Sequence, residues 1–490
     1  MSLRPIMFVG TCSDAGKSVL NTAFCRIFRQ DGYRPAPFKA QNMSLNSYAT
    51  PEGGEIGRAQ AVQAEACGLL PHTDMNPVLL KPSSGQTSQV ILNGKPVGSM
   101  SAREYFRTGN TRELWGDVVR AFRRLEARYE PIVLEGAGSI SELNLRDRDI
   151  TNMRMAQEAG AATYLVADID RGGVFGSVYG SVMLLPEDER KLLKGIIINK
   201  FRGDASLFED GKELIRKLTG VPVVGVIPYF RDIFIEKEDS VALETRATTA
   251  VEDKINVAVV LLRRMSNFTD FDVLEHDKRF HLYFTDSLSE IQRADIIILP
   301  GTKNTVEDLQ ILHSNGIAEA VVRAYRNGKR VIGICGGYQM LGIRVEDPGR
   351  IEGRQEKMAG LGLLPLVSVI QDKKVVCQSR FRYKDYDDIC EGYQIHMGQT
   401  RPEGPALFPG LNVLVDGTTE GCRLNDYCWG TYMHGILDNP VVLNDLAAAC
   451  GNPEKSGFNF SEFKQQQYDL LAGHVRKAVD MDYIYSTIVV

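Results

Sequence analysis

The sequence predicts an α/β protein, a parallel-sheet domain followed by a second α/β domain, and three observations carry that prediction. Short β-branched runs alternate with helical patterns through residues 4–230. From Ile235 to Asp253 the pattern dissolves into a polar stretch with no sustained period. From Asn256 onward strands and helical stretches resume.

In chain order, the first-domain strands are Ile6–Val9, Ile132–Leu134, Thr163–Val166, Ile196–Ile198 and Val223–Val226, each soon followed by Gly, Asp, Asn or Pro. Val19, Leu20, Ala23, Phe24, Ile27 and Phe28 recur at spacings of three and four, so a helix follows the first strand. Another helix carries Leu214–Leu218 and stops at Gly220, before Pro222. Second-domain strands are expected at Asn256–Leu262, His281–Phe284, Asp295–Leu299 and Arg330–Ile334. Leu443–Ala449 and Phe460–Val479 have helical spacing. The resulting division is a first domain over 1–235, a linker over 236–254, a second domain over 255–441 and a C-terminal helical extension over 442–490.

Composition narrows the function. Of 490 residues, 43% are apolar and 24% charged, which suits full-sized cores and excludes long disordered tracts. Lys+Arg 57 against Asp+Glu 62 leaves a net charge of −5, without the concentrated positive field that nucleic-acid binding draws on. The longest apolar runs, such as Ile296 to Pro300, fall far below the roughly 18 residues of a spanning helix. The apolar start, Pro5 to Gly10, is too short for a signal peptide. Nine cysteines include no C-x-x-C pair, and the seven histidines do not join them at zinc-ligand spacing. A reduced, cytoplasmic protein without membrane or nucleic-acid partners is expected.

Two motifs carry chemistry. The first strand runs into Gly10-Thr-Cys-Ser-Asp-Ala-Gly16-Lys17-Ser18, where a helix begins. Backbone N–H groups of such a loop and the positive end of the helix surround a phosphate chain. Thr11, Ser13, Ala15 and Gly16 belong to the expected nucleotide cradle, with Lys17 reaching the β- and γ-phosphates and Ser18 holding Mg²⁺. Five residues separate the two glycines, one more than the usual spacing. Glu135 ends another strand, at the rim where open α/β sheets bind ligands, and is expected as a second Mg²⁺ ligand. Asp168 either joins that rim or caps a turn, and Asn199 either meets the base or is a turn asparagine.

The second motif is Gly333-Ile-Cys335-Gly-Gly337, between a strand and a helix. Flanking glycines let the chain bend and lift the sulfur clear, and the helix N-terminus favours thiolate. Cys335 is the expected nucleophile and His434 its base, with His396 as the rival. Backbone N–H groups at Gly301 and Gly336 are expected as the oxyanion hole.

Taken with Lys39-Ala-Gln-Asn-Met-Ser-Leu-Asn-Ser47, Gly54-Glu-Ile-Gly-Arg-Ala-Gln60, Met75-Asn-Pro-Val-Leu-Leu-Lys-Pro82, Asp168-Ile-Asp-Arg-Gly-Gly-Val174 and Ile198-Asn-Lys-Phe-Arg-Gly-Asp204, these modules resemble the cobyric acid synthase family across essentially the whole chain. The longer phosphate loop is similar to that of dethiobiotin synthetases. The resemblance implies a phosphate-loop, ATP-dependent synthetase domain followed by a class I glutamine amidotransferase domain. It also implies ATP and Mg²⁺, L-glutamine as nitrogen donor, and adenosylcobyrinic acid a,c-diamide as substrate, amidated at its b, d, e and g carboxylates. Asp147 and Asp149 lie either near the reacting carboxylate or on the surface.

Two departures stand out. Class I amidotransferases carry a Glu two residues after the histidine, where this chain has Ile436, so the group that orients His434 is missing or comes from elsewhere. Similar synthetases carry an Asp after the second strand, where this chain reads Gln41-Asn-Met-Ser44. Alternatives are a cobyrinic acid a,c-diamide synthase, with the same modules acting on another pair of carboxylates, and a partitioning-type switch ATPase, which has no need of the Cys335 turn.

Overall fold

The computed structural model describes residues 2–82, 87–105, 108–238, 246–352, 355–404 and 409–490, without the side chains of 102 and 108–112. The first domain is built on a six-stranded, all-parallel sheet ordered Val223–Pro228, Leu193–Phe201, Ala162–Asp168, Ile6–Gly10, Ile132–Glu135, Ala36–Phe38. Ile6, Met7, Phe8 and Val9 are wholly buried, as expected of a central parallel strand covered on both faces. The chain leaves this strand toward Ala36–Phe38 on one side and later fills Ala162–Asp168 on the other. The carboxyl end of Ile6–Gly10 is therefore a topological switch point, where the crevice for a ligand opens.

Helix Lys17–Gln30 is buried nearly all round, not along one stripe. Its second cover is helix Phe460–Ala478, whose Tyr468, Leu471 and Val475 share a core with Phe24 and Phe28. The C-terminal segment thus divides. Helix Pro440–Ala449 packs on the second domain, and the last two helices return to the first.

The second domain has a six-stranded sheet ordered Phe280–Thr285, Ile255–Val260, Ile296–Leu299, Arg330–Ile334, Cys428–Thr431, Cys422–Asn425, parallel except for the last strand. Beside it stands a sheet dominated by the antiparallel hairpin Leu366–Tyr383 and Ile389–Pro402, in a region the sequence reading left without strands. That reading also passed over the antiparallel strands at Val78–Pro82, Thr87–Leu92 and Lys95–Ser101. The stretch expected as a linker begins with Glu236, which is buried against Arg58 at 2.6 Å, while its residues 239–245 lie outside those described.

Candidate functional site

Each domain gathers one cluster of reactive groups. In the first, Gly16 adopts φ 99°, and a Cβ there would stand 2.0 Å from Asn199 Nδ2. Only glycine fits, both for the left-handed backbone and for that close approach. The Asn199 amide donates to Ala15 O at 2.9 Å, bracing the turn from the neighbouring strand. Lys17 Nζ donates to Cys12 O and Gly138 O, both at 2.9 Å. Burial pulls its pKa below the ordinary lysine range, against the opposing pull of Glu135.

Glu135 is the hub of this cluster. Its Oε1 accepts from Ser18 Oγ at 2.7 Å and Lys39 Nζ at 2.8 Å, and its Oε2 accepts from Gln63 Nε2 at 2.7 Å. Burial resists its ionisation, but Lys39 and these hydrogen bonds prevail and hold the carboxyl below the usual range. The cluster opens on a cavity of about 1850 Å³ that Ser13, Gly16, Lys17, Ser18, Glu135, Asp147, Asp149, Asp168 and Asn199 help to line. That is more room than the roughly 300–1,000 Å³ typical of a small-molecule site.

In the second domain Cys335 sits at φ 53°, ψ −109°, a strained value for a non-glycine residue and the signature of a sharp strand-to-helix turn. A Cβ on Gly337 would meet Leu299 O at 1.9 Å, so the helix after the turn lies tight on the sheet. The Cys335 thiol points to Ile395 O at 3.5 Å. The His434 ring is close enough to the same sulfur for Cys335 to raise its pKa, and its Nδ1 bonds Asp270 Oδ2 at 2.7 Å. Burial pulls the His434 pKa down, but Asp270 and Cys335 outweigh it and raise it to about 10. Asp270 Oδ1 accepts from Gly435 N at 3.1 Å, so both carboxylate oxygens serve the histidine strand. Tyr393 stacks on the ring at 5.2 Å.

The family described as CobQ/CobB/MinD/ParA nucleotide binding domain matches residues 6–241, and the CobB/CobQ-like glutamine amidotransferase domain matches residues 256–442. A cobyric acid synthase of Parabacteroides distasonis is 65% identical over 99% of this chain and 99% of its own length. One from Bacteroides fragilis is 59% identical over 99% and 98%. This chain belongs to the cobyric acid synthase family. It is a glutamine-dependent amidating ligase of cobalamin synthesis, with a nucleotide-binding domain ahead of its amidotransferase domain. Among solved structures, a glutamine amidotransferase aligns with 40% of this chain and 98% of its own at 15% identity and a TM-score of 0.31.

Within this family member the expected site residues separate into those that converge and those that are engaged elsewhere. Lys17, Ser18 and Glu135 converge. Thr11 and Ala15 do not line the cavity, and Thr11 N is bonded to Val166 O at 3.0 Å. Asn199 lines it, but its amide nitrogen holds the loop. Asp168 is tied to Lys200 Nζ at 2.8 Å and accepts from Asp170 N at 2.8 Å. Asp149 accepts from the Thr151 backbone and hydroxyl at 2.7 and 2.6 Å, which makes it a turn-former at the cavity wall. Asp147 is exposed there.

In the second site Gly301 comes up against His434, where an added Cβ would stand 3.4 Å from Cε1, and Gly336 faces Thr302 in the same way at 2.7 Å. The rival His396 bonds Gly398 O at 2.8 Å and stacks on Tyr432 at 3.7 Å, and burial pushes its pKa down to about 4. Asp270 is the partner of His434 that the sequence reading missed. It lies 164 residues from His434 in an unremarked stretch, Asn267-Phe-Thr-Asp270, and only the position left vacant at Ile436 hinted at a substitute.

The donor set of the first cluster suits Mg²⁺, which takes one or two protein oxygens together with phosphate and water. Ser18 Oγ and Glu135 Oε1 are adjacent hard oxygen donors. Among the described residues there is no group of three or more His, Cys, Asp and Glu that could enclose a metal by itself, and no helix long and apolar enough to cross a membrane.

Proposed function

We propose that this enzyme amidates the b, d, e and g carboxylates of adenosylcobyrinic acid a,c-diamide, using one ATP and one glutamine per amide. A carboxylate resists ammonia because its leaving group would be oxide. Transfer of the ATP γ-phosphoryl to a carboxylate oxygen, with release of ADP, gives an acyl phosphate. The ammonia lone pair then forms the C–N bond as phosphate departs. Lys17, seated in the loop, would neutralise charge on the phosphoryl oxygens. Ser18 and Glu135 would hold Mg²⁺, which when bound neutralises phosphate charge.

In the second domain the Cys335 sulfur attacks the glutamine amide carbon. His434, oriented by Asp270, gives a proton to the departing ammonia and then takes one from the water that cleaves the thioester, releasing glutamate. Gly301 and Gly336 N–H groups would receive the oxyanion.

The observation that supports joining the two halves is the segment after Gln41. Gln41, Asn42 and Met43 line the first-domain cavity, while Ser47 N donates to Asn267 Oδ1 at 3.0 Å, beside His434. The four residue steps from Met43 to Ser47 span no more than about 14 Å even when fully extended. One short segment therefore joins the wall of the first-domain cavity to a neighbour of His434, which supports passing ammonia between the domains. Mass spectrometry of the product from the a,c-diamide, with ATP and glutamine supplied, should show four successive acid-to-amide shifts. A product stopping at two shifts, or turnover of the unamidated ring alone, would overturn the assignment.

A further inference from the structure

The segment that carries the family resemblance at Lys39–Ser47 has an end that the amidation chemistry does not use, and that end reaches into the other domain. Asn46 is buried, accepts from Phe268 N through Oδ1 at 3.2 Å and donates through Nδ2 to Glu238 O at 2.7 Å. Ser47, wholly buried, spends all its polar groups. Its N donates to Asn267 Oδ1 at 3.0 Å, and its carbonyl accepts from Tyr393 OH at 3.4 Å. Its hydroxyl donates to Glu55 and accepts from Lys81, both at 2.7 Å.

The partners on the far side all touch the catalytic histidine or adjoin its carboxylate. Asn267 Nδ2 lies 3.3 Å from both His434 ring nitrogens, which places the amide over the ring rather than in its plane. Tyr393 is the residue stacked on that ring. Phe268 opens the short helix Phe268–Phe271, which carries Asp270. Because Ser47 N is a donor, it fixes which end of the Asn267 amide faces His434. Asn267 itself sits at φ 54°. Such a conformation persists only where the surroundings over-determine it, and here two of the determinants come from the first domain.

We propose that Asn46 and Ser47 of the nucleotide-binding domain are positioning residues for His434, acting through Asn267 and Phe268, so that the glutamine-hydrolysing centre is complete only when the first domain is docked on it. The inference rests on His434 being the base that serves Cys335.

The test compares glutamine-driven with ammonium-driven amidation in the full chain. Asn46→Ala should lower glutamine-driven kcat about 10- to 100-fold, the scale of a misplaced catalytic group. The KM for glutamine and the ammonium-driven rate should stay within about twofold, since an interaction made only in the transition state is lost. Unchanged glutamine-driven kcat in Asn46→Ala, or an equal loss with ammonium, would overturn the proposal. Cys335→Ala separates this from the underlying reading. It should abolish the glutamine-driven rate and leave the ammonium-driven one, and survival of glutamine use there would refute the thiol centre whatever Asn46 does.

Discussion

His434 is buried to 1% exposure, and a buried imidazole is ordinarily easier to keep neutral than charged. Asp270 reverses that balance, and the pH dependence follows from the sign of the shift. The folded pKa, about 10, lies above the ordinary histidine value of 6.5, so folding gains from protonation. The stabilisation from this pair is complete below about pH 6.5 and is lost as pH rises through about 10. Asp270→Asn should therefore destabilise the protein most at neutral and lower pH, and the gap to wild type in denaturant unfolding should close progressively toward pH 10. The same variant should lose about 100-fold or more in glutamine-driven kcat, by analogy with the cost of replacing the orienting carboxylate in other triads. A stability gap that widened with pH would contradict this account of the ion pair. Asp270 also marks the limit of what could be read in advance. Cys335 and His434 could be proposed from sequence because a nucleophile needs a bent, glycine-flanked turn and a base needs an imidazole. The orienting carboxylate can arrive from any neighbouring loop, so its chemistry was predictable and its address was not.

At the scale of elements, most strands of the two six-stranded sheets were legible because they are buried on both faces and read as unbroken apolar runs closed by turn residues, while Ala36–Phe38, Cys422–Asn425 and Cys428–Thr431 were passed over. The hairpin Leu366–Tyr383 was not legible. Its middle, Gln371-Asp-Lys-Lys374, is polar, and the register shifts between Ile370 and Val375, which removes the period-two signal. The phosphate loop is the opposite case, an element fixed by one residue. Gly16→Ala must either abandon φ 99° or push aside Asn199, whose amide would lie 2.0 Å from the new Cβ. Strain at such a position costs on the order of 1–3 kcal/mol. Displacing Asn199 also frees Ala15 O, the strand-side anchor of the turn. The variant should bind ATP at least about tenfold more weakly by calorimetry, the equivalent of 1.4 kcal/mol. Its Cys335 centre should keep hydrolysing glutamine, because none of that site's partners lies in the loop. Wild-type nucleotide affinity in Gly16→Ala would mean that the turn is not part of the phosphate cradle.

For the molecule as a whole, the expected polar linker turns out to start as a structural nexus. Glu236 is buried, bonds Arg58 of the first domain at 2.6 Å and lies 4.0 Å from Lys464 of the C-terminal helix. Lys464 in turn bonds Glu65 at 2.9 Å. Burial opposes ionisation of Glu236, but Arg58 and Lys464 hold its pKa below the ordinary range, while burial working against Lys464 is outweighed by Glu236 and Glu65. Three segments distant in sequence are thus held by one set of opposite charges, which also explains why the last helices return to the first domain. No local pattern could announce it, since a charged run reads as solvated surface until its partners are known. Pairs of this kind contribute little over a well-packed apolar replacement, but breaking one leaves an uncompensated buried charge at a cost of about 3–5 kcal/mol. Glu236→Gln should lower unfolding free energy by that amount and loosen helix Phe460–Ala478, seen as faster amide exchange along it. Combining it with Arg58→Met should restore part of the loss, because the orphaned guanidinium is then gone. If the two substitutions instead add without recovery in a double-mutant cycle, the segments are held by packing alone and the charges are incidental.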